Sequence, residues 1–372
     1  MKAMKVVMVS NEFPPSVGGV QTHVHELAKA MVAQGNRVVV VTRKSDAALP
    51  DSEIMDGIDV RRYPLPDSHF FYDFRLRRIL RKLVTSEGFE VLHIHGMRPL
   101  AASRGLGVPV IFTNHTSSFL KRATQGGKVL EKMRRQLIIA DMVLAPSDEL
   151  VQATLATGYD KPTRFISNGA DTTRFYPRAS DLRSALSIPS DAFVAVLARR
   201  LVEKNGVLYF ARAIASLELP DLHVIVAGDG AERDEFERIT KSGGLSGQVH
   251  MLGAVANAEM PEVFSAGNVG ILPSLMEATS IAGLEAMACG LPLIGTRVGG
   301  IPVIIDDRRS GILVDPRSPE ALASAITELY EDRALAAAMG KISLEIARQK
   351  FSWDVIATTT IGCYREAQQQ YL

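Results

Sequence analysis

Cysteine is nearly absent. Cys289 and Cys363 are the only two in 372 residues, too few for a disulfide framework or a cysteine-based metal site. No apolar run approaches the roughly 18 residues a membrane-spanning helix needs. The opening MKAMKVVMVS lacks a signal peptide's long apolar stretch and cleavage site, and reads as a first β-strand. A cytoplasmic location follows. No G-x-G-x-x-G follows a strand pattern, since Gly228-Asp229-Gly230 lacks a third glycine, which argues against a dinucleotide-dependent dehydrogenase. Excess charge is missing too. A net charge of +1, an isoelectric point near 7.8 and no matching motif argue against a nucleic-acid reader.

What is present fits two soluble domains. Hydrophobic residues make up 47% and charged residues 22%, as in ordinary globular proteins, and 372 residues suffice for two cores. Residues 1–180 hold 25 Lys+Arg and 17 Asp+Glu, a net +8, whereas the remainder holds 17 and 24, a net −7. Halves of opposite sign point to domains with different partners.

Short β-branched runs alternate with helical patterns. In the first half, strands are expected at 5–10, 37–42, 90–94, 109–113, 142–145 and 163–167. Val24, Leu27, Ala28, Met31 and Val32 follow the spacing of an amphipathic helix that Gly35 stops. The pattern restarts with strands at 193–198, 223–227, 250–252, 269–272 and 292–295, after a linker at 168–189. Continuous apolar strands between helices imply parallel sheets covered on both faces. The expectation is an α/β protein of two doubly wound, Rossmann-like domains flanking a cleft, with ligands at the carboxyl ends of strands. The boundaries expected are 1–176, with 352–372 crossing back, and 177–351.

Three strand-end loops carry candidate chemistry. In NEFPPSVGG, Gly18 and Gly19 open a helix, where backbone amides and the helix dipole favour an anion. A plain strand-to-helix turn would read the same. In LPSLMEATSIAGLEAMACG, Glu277 precedes a helix and Glu285 lies within it, with amides around Thr279, Ser280 and Ile281 free to meet a phosphate. Eight helical residues would separate the two carboxylates by about 12 Å, beyond a glycosidase pair. Hydrogen bonds to hydroxyls at two ends of one extended ligand suit them better, with Glu285 on a ribose. In ARRLVEKNGV, Arg199, Arg200 and Lys204 offer charge for a diphosphate, though such a trio also occurs at solvated helix starts. A diphosphate leaving group gains charge as its bond breaks, so cations there stabilise the transition state most.

With NGADTTRFYP and GDGAER, these segments resemble the retaining glycosyltransferases of family four, which have the GT-B fold; phosphatidylinositol mannosyltransferases are among them. The resemblance spans nearly the whole chain. It implies that Glu277 contacts the transferred sugar and Glu285 the ribose. It further implies that an Arg and a Lys after the second domain's first strand bind the diphosphate, and that no cofactor or metal is needed. His115 in TNHTSS would contact the transferred sugar. The acceptor side would comprise Gly18, Gly19, His95, Asn114 and His115, with Gly19 also near the donor phosphates. The last helix would return to the first domain. The sequence departs from the family at two places. An ungapped match puts Asn205 where the pattern has Lys, so Arg200 with Lys204 is the expected pair and Arg199 the stand-in. Val303 replaces a commonly seen Glu.

His93 and His95 in VLHIHG share one strand face, a spacing that suits a metal, but no third ligand stands out and lining of the cleft is the reading taken. His23 and His25, two apart on a helix, do not share a face. Residues 70–82, FFYDFRLRRILRK, and the following Leu83 carry a Leu76–Ile79–Leu80–Leu83 stripe with most of the basic residues opposite. Either a surface helix with its stripe in the core or a segment on an anionic membrane fits. In the membrane case the protein would sit at the inner face of the cell membrane. The expected activity is transfer of a hexose from a UDP- or GDP-sugar to a hydroxyl of a sugar or a lipid-linked acceptor. A sugar-nucleotide epimerase or hydrolase, and a non-catalytic sugar-nucleotide sensor, are the alternatives.

Overall fold

The computed structural model describes residues 2–371 apart from 17, 116 and 246. The chain forms two compact units, residues 1–168 with 353–372, and residues 169–352. The division falls earlier than the expected 176/177. Ala170 N–H donates to Phe351 O at 2.8 Å, and Phe175 is fully buried in the same core as Phe264. Residues 169–176 therefore belong with the second unit, and Trp353 rather than residue 352 begins the returning segment.

The first unit is built on eight strands: β1 (Lys5–Ser10), β2 (Arg37–Arg43), β3 (Ser52–Met55), β4 (Ile58–Tyr63), β5 (Val91–His95), β6 (Val110–Thr113), β7 (Met142–Ala145) and β8 (Thr163–Phe165). Their order is β3-β4-β2-β1-β5-β6-β7-β8, parallel throughout except for antiparallel β3–β4. Central strands such as β5 are buried at every residue, as a sheet covered on both faces demands. The helices Gly19–Ala33 and Trp353–Tyr371 pack on one face and His69–Glu87 on the other. The last helix is fixed within this unit: Gln34 Nε2 donates to Asp354 O at 2.7 Å, and buried Tyr364 meets His93.

Strand β3, at the sheet edge, and β4 beside it escaped the sequence pattern because neither carries a continuous apolar run. Along β4, Ile58, Val60 and Arg62 are buried while Asp59, Arg61 and Tyr63 are partly exposed. Arg61 pairs with Asp59 and Glu87 at 2.7 Å each.

The second unit holds β9 (Phe193–Ala198), β10 (Leu222–Ala227), β11 (Val249–Gly253), β12 (Val269–Leu272), β13 (Leu293–Thr296) and β14 (Gly311–Val314). Their order is β11-β10-β9-β12-β13-β14, all parallel. The chain reverses its direction of growth between β9 and β12, where doubly wound sheets open a crevice at their carboxyl ends. The loops after those two strands contain the candidate residues.

Candidate functional site

The loop after β12 is shaped by its neighbours. Leu275 N–H and Met276 N–H both donate to Lys204 O, at 2.8 and 3.2 Å. Gly206 turns the β9 loop with φ +65°, and a Cβ there would stand 1.9 Å from Pro273 O. Gly299 has φ +52°, and its Cβ would stand 1.6 Å from Glu277 O. Only glycine permits these approaches. The helix Ile281–Ala288 then begins, with Ser280 Oγ accepting from Gly283 N–H at 3.2 Å as its N-cap.

Arg199 is the centre of this arrangement. Its guanidinium forms an ion pair with Glu277, donates to Asn205 Oδ1 at 3.1 Å and reaches Ser280 Oγ at 3.4 Å. The side chains of Arg199 and Glu277 are 9% and 18% exposed. Arg200 and Lys204 are exposed, and the Arg200 carbonyl accepts from Asn205 Nδ2 at 2.7 Å. The residue that the structure brings to Glu277 is thus Arg199, the stand-in, and not Arg200. Glu285 is 5% exposed and accepts from Asn257 Nδ2 at 3.3 Å. Thr279 and Ser280 are buried and Ile281 is partly so. Together these residues present a guanidinium, two carboxylates and a capped helix start at the crevice of one sheet.

The first unit has its own polar cluster at the β1/β5 reversal. His95 ends β5, and Asn114 and His115 directly follow β6, with Asn114 N–H donating to Leu144 O at 2.9 Å. Gly18 and Gly19 stand at the start of the helix Gly19–Ala33, and Thr22 N–H donates to Gly18 O at 3.0 Å. That helix delivers buried His23. The rings of His23 and His115 lie 4.5 Å apart, and those of His23 and His95 lie 5.6 Å apart. His95 Nδ1 and His115 Nε2 are 3.0 Å apart. Burial lowers His23 to a pKa of about 4 despite a hydrogen bond to Asn168, and holds His93, His95 and His115 well below the usual histidine range. All four imidazoles are therefore neutral at pH 7. His93 spends both nitrogens, on Tyr364 Oη and Thr113 Oγ1 at 2.6 Å each, and is structural.

Sequence reasoning missed His23 because it compared that residue only with His25. The signal available was its place four residues after Gly19, one turn into a helix that follows β1. The basic segment also resolves. The helix His69–Glu87 buries Tyr72, Leu76, Leu80 and Leu83 in the core. Phe70, Phe71 and Phe74 are 74%, 62% and 64% exposed. Beside them lies a cavity of about 870 Å³ whose lining includes Tyr63, Phe71, Phe74, Arg75, Arg78 and Lys82. Among the described residues no helix is long and apolar enough to cross a membrane.

Known proteins share this organisation. Residues 17–174 match the family Glycosyltransferase Family 4, and residues 179–345 match Glycosyl transferases group 1. A D-inositol 3-phosphate glycosyltransferase of Arthrobacter sp. is 30% identical, over 95% of this chain and 91% of that one. The solved sucrose-phosphate synthase of Thermosynechococcus elongatus is 25% identical, with a TM-score of 0.83 over 98% of each chain. The Anabaena protein HepE, solved in complex with UDP-glucose, is 21% identical, with a TM-score of 0.80 over 98% of this chain and 100% of that one. Two family matches that tile both units, a relative at 30% identity and the shared two-unit fold agree: this chain is a glycosyltransferase of the GT-B fold and belongs to glycosyltransferase family 4.

Proposed function

We propose that the protein is a retaining, metal-independent hexosyltransferase that moves a sugar from a UDP- or GDP-sugar to a hydroxyl acceptor. The observation that carries this reading is the Arg199 guanidinium, held between Glu277, Asn205 and Ser280 where β9 and β12 diverge. Asn205 cannot supply the charge of the Lys it replaces in the family pattern, and Arg199 brings that charge to the same place. With Arg200 and Lys204 it would meet the donor diphosphate, helped by the first-turn amides near Thr279, Ser280 and Ile281. Glu277 would accept from hydroxyls of the transferred sugar and Glu285 from the ribose. The HepE complex with UDP-glucose favours UDP as the nucleotide.

In the proposed step the acceptor oxygen bonds to the anomeric carbon as the bond from that carbon to the diphosphate oxygen breaks. The acceptor proton passes to the departing phosphate oxygen. Retention is expected because both events occur on one face of the sugar. The protein's contribution is positioning and charge stabilisation at the leaving group. His95, Asn114, His115, Gly18 and Gly19 are assigned to the sugar and acceptor side. The acceptor class favoured is an anionic amphiphile, because Arg75, Arg78 and Lys82 line a cavity beside exposed Phe70, Phe71 and Phe74. A role at the inner membrane face would follow.

A panel of UDP, GDP and their sugars tests the donor by thermal shift, since a ligand at 100 times its Kd stabilises by about 2.7 kcal/mol. The product's anomeric configuration, read by NMR, tests retention, and turnover that survives EDTA tests metal independence. Donor consumption that is equally fast without any acceptor would replace transfer by hydrolysis or epimerisation. Binding without turnover across acceptors would leave a sensor.

A further inference from the structure

We infer that His23, His95 and His115 form a binding site for a first-row divalent cation of the zinc class. The three residues come from three separate segments of one unit, and each offers a ring nitrogen, all three lying within 4.8 Å of one another. Zinc bound to imidazole at 2.0–2.1 Å with tetrahedral angles sets its ligand nitrogens about 3.3 Å apart. His95 Nδ1 and His115 Nε2, at 3.0 Å, already stand near that separation. The His23 ligand atom lies within 4.8 Å of the other two.

The surroundings are those of a prepared ligand set. His23 Nδ1 lies 2.8 Å from Asn168 Oδ1. An amide oxygen only accepts, so Nδ1 carries the proton and Nε2 keeps a lone pair. Metal-bound histidines are oriented in this way by an outer carbonyl or carboxylate. His95 is 3% exposed, and with Nδ1 as its ligand atom its Nε2 would carry the proton, whereas His93 beneath it has both nitrogens bonded and is no ligand. Neutral imidazole is the form that binds metal. Imidazole donors without thiolates suit Zn²⁺, Cu²⁺, Ni²⁺ or Co²⁺ better than Mg²⁺ or Ca²⁺. Three protein ligands leave a fourth position for water or a small anion. Occupancy would withhold the His115 nitrogen from any sugar, a consequence that rests on the role proposed for His115 above.

The chain carries its own reporter. Trp353 is the single tryptophan, and its ring stands edge-on to His23 at 5.4 Å. Titration of EDTA-stripped protein with Co²⁺ should quench Trp353 emission saturably at one ion per chain, with visible absorption of low-coordinate Co²⁺. Excess Zn²⁺ should reverse both signals. The readout is independent of sugar transfer, so a failed transferase assay and a failed metal site are distinguishable. His95→Ala should abolish the saturable phase. Asn168→Ala, which leaves all three imidazoles in place, should weaken Co²⁺ binding about 10–100-fold. His223→Ala, in the other unit beside His250, should change nothing. Circular dichroism checks that each variant folds, and Asn168→Ala decides alone if His95→Ala does not. Quenching that is linear in Co²⁺, absent, or equal in wild type and Asn168→Ala would overturn the site.

Discussion

Arg199 donates through one guanidinium nitrogen to both the Glu277 carboxylate and the Asn205 side-chain oxygen. In the proposed register Asn205 takes the place of the family's lysine, and Arg199 would supply the charge that residue 205 lacks. Arg199→Ala should lower kcat on the order of 10²–10³-fold, the scale for losing one preorganised group at a leaving anion. The double variant Arg199→Ala/Asn205→Lys should recover at least tenfold of that loss. Steady-state kinetics decides between registers: a large defect in Arg200→Ala beside a mild one in Arg199→Ala would restore the arginine expected from the ungapped match.

Glu285 is buried and held by Asn257, so its carboxylate is placed before any nucleotide arrives. Glu285→Gln should weaken UDP or GDP binding by about 1.5–3 kcal/mol, the cost of losing hydrogen bonds to a charged acceptor. Isothermal calorimetry on folded protein measures this. Unchanged affinity would remove Glu285 from the ribose.

Most strands were legible because a covered parallel sheet writes itself as short, continuously apolar runs, as in residues 37–41 and 193–198. Ile58–Tyr63 was not, since a strand one place in from the sheet edge, with Asp59 and Arg61 partly exposed and Arg62 buried, carries no apolar run. The loop after β12 was legible because glutamate, a helix start and glycine fall in a fixed order. Which of two adjacent arginines turns toward Glu277 was not, because strand neighbours point to opposite faces and the loop that follows breaks the alternation. The histidine cluster needs three distant segments, 23, 95 and 115, that only the sheet order brings together.

The buried histidines also set an acid limit. His23 has a folded pKa of about 4 against 6.5 unfolded, so the unfolded chain takes up the proton first as pH falls. Stability is flat above pH 6.5 and declines between 6.5 and 4, with His23 alone costing about 2 kcal/mol at pH 5. Urea midpoints at pH 7 and pH 5 measure the loss. It should shrink by about that amount in His23→Gln, and an equal loss in both proteins would show that His23 does not titrate on unfolding.

The exposed aromatics on the helix His69–Glu87 bear on the acceptor. Leu76, Leu80 and Leu83 are committed to the core, so they cannot enter a membrane, and Phe70, Phe71 and Phe74 are the apolar groups left outside. Arg77 donates to Arg104 O, which leaves Arg75, Arg78 and Lys82 along the cavity. Each basic residue near an anionic surface contributes about 1 kcal/mol, and salt screens that attraction beyond roughly 8–10 Å. Three such residues give weak attachment, which the phenylalanines would strengthen in a salt-insensitive way. Co-sedimentation with phosphatidylglycerol vesicles should therefore show binding that falls as salt rises, with little binding to phosphatidylcholine. Arg75, Arg78 and Lys82 changed together to Ser should abolish the salt dependence. Phe70, Phe71 and Phe74 changed to Ser should lower binding at every salt concentration. Equal, negligible binding of wild type to both vesicle types would make the acceptor a soluble hydroxyl compound.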